Sequence, residues 1–165
     1  MVEPWLRGTL TEFDAVRRQV LHALELTAED CGQWCTGLLP EELEARPFGL
    51  PSVGFQMRHI VRSLDRMLTY LEGKALTEEQ HALLASEMAP SGSRAELFAE
   101  FEVGMATAVA RVRATSPESY EQARGVGRKL LPSTVGGLLV HCAEHTQRHS
   151  GQMVTTAKVV LGMRS

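Results

Sequence analysis

The chain has 165 residues, 44% of them hydrophobic and 22% charged, with a formal net charge of −3 and an isoelectric point of about 6.1. These figures suit one globular domain over residues 1–165 and supply no basic surplus for binding a phosphate backbone, so a nucleic-acid partner is not expected. No apolar run approaches the roughly 18 residues of a membrane span, and three cysteines, an odd count, do not make a disulfide framework.

The opening stretch MVEPWLRGTLTEFD has no basic segment followed by an apolar one, so a cytoplasmic protein with reduced thiols is expected. Helical periodicity then runs from about Thr11 to Gly37, with Phe13, Val16, Val20, Leu24 and Cys31 on one side. Cys31 and Cys35 share a helix face, a spacing open to a soft metal or a redox pair. Both nevertheless fall on the apolar row Val20, Leu24, Cys31, Cys35, Leu38, where free cysteine packs as a small hydrophobe. They are assigned to the core, and Cys142 with them.

LLPEEL marks a turn and a fresh helical start, with Pro40 suited to a first turn. A second long helix opens at Pro51-Ser52, where Ser52 can cap, and runs to about Glu72 before Gly73 stops it. Its apolar row is Ile60, Leu64, Met67 and Leu71. TEEQHALLASE begins with a Thr77-x-x-Gln80 capping box and predicts a short extra helix. A loop through Pro90, Ser91 and Gly92 leads to a third long helix, from the Ser93/Glu96 box to near Thr115. The Gly/Arg-rich ARGVGRKLLP reads as a connection, and the fourth long helix runs from Ser133 to about Leu161. The expected fold is all-α: an antiparallel four-helix bundle with a short extra helix between the second and third long helices.

The last helix contains HCAEHTQRHSGQ, in which His141, His145 and His149 recur at four-residue spacing. At 100° per residue, His141 and His149 lie about 40° to either side of His145, and Gln152 lies about 20° away. Leu138 and Thr156 share this stripe. A buried row of imidazoles needs hydrogen-bond partners or a metal. Two histidines at i and i+4 can aim at one ion. Three cannot, because His141 and His149 are separated by about 12 Å of rise. On spacing, 141/145 and 145/149 are equal pairs, and a further ligand has to come from another helix.

EHTQRHSGQM resembles the last-helix signature of the DinB/YfiT-like superfamily, an H-x3-H followed by x-G-Q. LPSVGFQMRHIVRSLDRMLTYL resembles that family's other signature, a capped helix with a histidine in its second turn, and LLPEELEARP is similar to its first connection. The resemblance covers nearly the whole chain. It implies a bundle, commonly a homodimer, that holds a divalent metal, zinc or nickel foremost, through three histidines. Carried over to this sequence, these are His59, His145 and His149. His141 then stands one turn before the site as a group that could orient a ligand. Gly151 and Gln152 match the G-Q pair, and a close helix–helix approach would explain a glycine inside a helix. Periodicity puts His59 at the edge of its apolar row, which suits a metal at the mouth of the bundle.

Three neutral imidazoles leave a divalent ion its full charge and an open position, the pattern of a catalytic centre. Characterised relatives of this kind include thiol transferases and isomerases using bacillithiol, mycothiol or glutathione. The resemblance therefore implies a metal-dependent S-transfer from a low-molecular-weight thiol to a small electrophile. The alternatives are a hydrolase using metal-bound hydroxide and a non-catalytic dimeric bundle that binds metal or a small ligand. Ser63, Arg66 and Tyr70 lie within about 40° of His59 on its helix. Arg66 and Tyr70 are the expected contacts to a thiol cofactor, with Arg66 pairing a carboxylate. Arg58 and Arg62 read as surface arginines, His22 and His81 as exposed, and Glu144 points about 100° from His145. No G-x-S-x-G, Walker loop or dinucleotide fingerprint occurs.

Overall fold

Each long helix forms where the periodicity predicts it, and each starts at a side chain that takes up free backbone N–H groups. The structure, a computed structural model, describes residues 2–89 and 92–164, so Pro90 and Ser91 of the expected loop lie outside the described residues. Helix α1 (Ala15–Trp34) begins at Asp14, whose carboxylate accepts from the amides of Val16 and Arg17. That start is later than Thr11, and Asp14 is also held by the Tyr120 hydroxyl at 2.7 Å. Helix α2 (Pro40–Leu43) is a single turn opened by proline. Helix α3 (Val53–Leu71) is capped by Ser52, which accepts from the Phe55 amide. It stops at Gly73, whose φ of +75° favours glycine.

Helix α4 (Glu78–Ser86) carries the Thr77/Gln80 capping box. Helix α5 (Arg94–Ala114) carries the Ser93/Glu96 box and ends in a turn with Arg111 and Arg113, whose charge suits the helix C-terminus. The expected connection is in fact an antiparallel hairpin. Strand β1 (Ala123–Val126) pairs with β2 (Leu131–Thr134), with Arg124 opposite Ser133 and Val126 opposite Leu131. Four-residue strands are too short to show alternation in sequence, and Gly127 at φ +70° supplies the turn. Thr134 ends β2 and also caps helix α6 (Val135–Gly162), accepting from the Gly137 amide at 3.0 Å.

The four long helices pack in a closed ring, with α6 against α1 and α3, and α5 against α3 and α1. Where α3 and α5 cross, a Cβ on Gly104 would come within 2.5 Å of the Val61 side chain, so only glycine allows that approach. Helix α4 and β1 sit on α3, and β2 on α6. The core is built from Leu24, Leu38, Met57, Ile60, Leu64, Leu68, Leu139 and Met153. Cys31, Cys35 and Cys142 are buried free thiols, as the apolar row requires. Burial pushes Cys142 up to about 12, far from reactive thiolate. Among the described residues no helix is long and apolar enough to cross a membrane.

Three polar assignments need correction. Arg58 and Arg62 are buried, at 1% and 7% exposure. Arg58 forks onto Glu44 at 2.7 and 3.0 Å, and Arg62 onto Glu100 at 2.6 and 3.0 Å. Bidentate pairing with carboxylates distant in sequence makes that burial tolerable. His22 is also buried, with Nδ1 3.6 Å from Glu25. His81 is exposed as expected.

Candidate metal centre

Helices α3 and α6 pack side by side, which brings His59 from one to the His145/His149 pair of the other. The three residues offer ligand atoms all within 4.8 Å of one another, an arrangement that could hold a metal ion. His59 Nε2 and His145 Nε2 are 3.0 Å apart. Ring centroids are separated by 4.3 Å for His59–His149 and 4.5 Å for His145–His149. All three are half-buried, which matches the boundary position read for His59.

The outer edges of two rings are already committed. His59 Nδ1 donates to Glu87 at 2.8 Å. A carboxylate accepts only, so Nδ1 carries the hydrogen and Nε2 turns a lone pair inward. His149 Nδ1 donates to the Gln56 carbonyl oxygen at 2.7 Å. Gln56, fully buried, is fixed in that sense because its amide nitrogen donates to Gln152 at 2.9 Å. Phe55 stacks on His59 with centroids 5.4 Å apart. Such outer partners set the tautomer and aim of metal-binding imidazoles.

The electrostatics agree with neutral ligands. Burial, and then the proximity of His59, hold His145 and His149 down at about 4. Burial by itself would raise the Glu87 carboxyl. Hydrogen bonds from His59 and Arg66 outweigh it and keep Glu87 below the usual carboxylate range. Nitrogens as close as those of His59 and His145 share either one hydrogen or a common cation. The lowered pKa of His145 and His149, with the tautomers of His59 and His149 fixed by outer acceptors, gives a donor set that fits a divalent ion.

A pocket of about 330 Å³ opens beside the cluster, lined in part by His59, His145, Ser63, Tyr70, Val126 and Leu138. Ser63, Arg66 and Tyr70 therefore do border a cavity. Arg66, however, is paired with Glu87, so it is not free to receive a ligand carboxylate. His141 also borders the pocket, exposed, and its ring lies 5.5 Å from that of His145. Its Nδ1 faces Glu144 at 3.4 Å, away from the cluster. Glu144 itself is bound to Arg148 at 2.8 Å and orients neither His145 nor His149. Gly151 is exposed, and a Cβ there would meet nothing within 4 Å, so close helix packing does not explain it.

Two residues escaped the reading of the sequence. Gln56 stands three residues before His59, and that spacing on one helix face was an available signal. Glu87 follows α4, 28 residues from His59, and no local pattern connects them.

No curated protein matches the sequence. The crystal structure of a Streptococcus pneumoniae protein from a structural genomics consortium superimposes with a TM-score of 0.66 at 13% identity. The alignment covers 90% of this chain and 92% of that one, a likeness of fold alone. The family model of the DinB superfamily matches residues 13–153.

Proposed function

The chain belongs to the DinB superfamily, and from that membership we propose a metal-dependent enzyme in which His59, His145 and His149 hold a divalent ion, zinc or nickel, and a low-molecular-weight thiol is transferred through sulfur to a small electrophile. This reading takes the ring of long helices as an antiparallel four-helix bundle and the working form as a homodimer. The observation that carries it is the convergence of three imidazoles, two of them held outward by Glu87 and Gln56, beside a pocket large enough for a reactant. When bound, a divalent ion with three neutral ligands retains its double charge and favours the thiolate form of a thiol at neutral pH.

The chain's own residues supply the setting. Glu87 holds the His59 ring and keeps its hydrogen on Nδ1, and Arg66 holds Glu87. Gln56 does the same for His149 and is itself fixed by Gln152. Leu138 and Val126 give the pocket apolar walls, which exclude water and suit an apolar electrophile.

Protein purified without an affinity tag and assayed by plasma mass spectrometry should carry about one ion per chain. His145→Ala and His149→Ala should each retain under about a tenth of it. Thiol transfer to monobromobimane should exceed the protein-free rate only in the metal-loaded wild type. Equal metal in all three proteins would remove the centre, and no rate above background with glutathione, bacillithiol or mycothiol would remove the transferase.

A further inference from the structure

A second cavity, of about 720 Å³, lies between the hairpin and the α3–α4 connection, and its charge is one-sided. Lys74, Arg124 and Arg128 line it together with His81, and no carboxylate does so among the described residues. In a chain of net charge −3 this is a locally cationic lining, in which Arg124 and Arg128 are not paired with a carboxylate among the described residues. Arg124 is anchored to neutral acceptors only, the carbonyls of Leu71 at 2.6 Å and Ala123 at 2.9 Å and the Gln122 side chain at 3.2 Å, so its charge is uncompensated. Lys74 bonds Glu72 at 2.8 Å, and Arg111, which shares that carboxylate at 2.7 Å, is also held by Asp65 at 2.6 Å, so the unpaired charge of the groove is that of the two arginines. Arg128 is exposed at the hairpin and takes no part in the ion pairs of the described residues.

The groove adjoins the histidine pocket. Tyr70 lines both. On β1, Val126 faces the pocket while its neighbours Gly125 and Gly127 line the groove, so the strand is the partition between them. His59 and Tyr70 stand three helical turns apart on α3, a rise of about 16 Å. A molecule that engages both regions is therefore elongated, with its reactive end at the imidazoles and its far end among the cations.

We propose that this groove binds the carboxylate end of an elongated organic anion whose other end enters the histidine pocket. Guanidinium groups recognise carboxylates bidentately, and Arg128 and Arg124 supply two of them. The proposal rests on the thiol-transfer reading in identifying that anion as the thiol partner. It then selects thiols bearing carboxylates, such as glutathione or bacillithiol, over mycothiol, which is uncharged. It also moves carboxylate recognition from Arg66, occupied by Glu87, to the hairpin.

The test uses S-methylated thiols, which have no thiol proton to lose, in calorimetric titrations of the metal-loaded protein. S-methylglutathione or S-methylbacillithiol should bind about tenfold or more tightly than S-methylmycothiol, and less tightly as salt is raised. The Lys74→Glu/Arg128→Glu variant should lose that preference, both positions being exposed and without a role in the core. His145→Ala, titrated without metal, should keep it. Equal binding of charged and uncharged thioethers, no binding of either charged one, or a preference that survives the charge reversal overturns the groove. A preference present in a protein with no transfer activity supports the groove and overturns the transferase.

Discussion

Helix α6 presents polar side chains to two neighbours, and the two contacts differ in what they leave unsatisfied. Against α1, Gln147 donates to the Ala23 carbonyl at 2.7 Å and to the Thr27 hydroxyl at 3.0 Å. Thr27 passes its own hydrogen to Ala23 at 2.9 Å, and Ser150 donates to Asp30 at 3.3 Å. Those donors all end on protein acceptors. Against α3, the outer nitrogens of His59 and His149 are satisfied by Glu87 and Gln56, while their inner nitrogens meet at the cluster, where His59 Nε2 faces His145 Nε2 at 3.0 Å. Buried polarity by itself is ordinary packing chemistry. Acceptors left over and converging on one point mark a place for a cation.

Substitutions can separate the two contacts. The largest change in stability is expected from Met153→Ala, on α6 one turn beyond His149 and fully buried. It should cost about 2–5 kcal/mol in denaturant unfolding, yet leave the metal content of the folded protein unchanged. A parallel loss of metal would mean that the cluster is only as firm as the core around it. Glu87→Gln should lower metal affinity about 10–100-fold by competition titration, with far less effect on the unfolding midpoint of the metal-free protein. An unchanged affinity would strip Glu87 of its orienting role. Gln147→Ala, across the α1 contact, should cost only about 1 kcal/mol and nothing in metal affinity. Were it to weaken metal binding as much as Glu87→Gln, the two faces of α6 would not be independent.

The same division separates what could be read in the sequence from what could not. Helix starts were legible at Ser52, Thr77 and Ser93 because capping is decided within four residues. The cysteines and the Ile60–Leu64 row were legible for a similar reason, since periodicity reports which face is buried. The stripe of histidines was visible, but the choice between its two pairs needed the family likeness, because spacing treats them alike. The folded chain brings His145 and His149 to His59 and leaves His141 at the pocket rim. What escaped was set by partners far along the chain. Arg58 and Arg62 looked like surface residues because Glu44 and Glu100 lie 14 and 38 residues away. Glu87 was invisible on the same ground, and the hairpin because its strands are shorter than the pattern that reveals strands.

Glu87 has one more consequence. It is the residue by which the excursion through α4 takes hold of the imidazole cluster, gripping His59 while Arg66 grips it in turn. Anchoring of that excursion and occupancy of the cluster are thereby thermodynamically linked, and linkage is symmetric: each strengthens the other by one and the same factor. An ion arriving at the cluster would slow amide hydrogen exchange in residues 78–86, and any partner that pried that stretch loose would, by the same factor, coax the ion out.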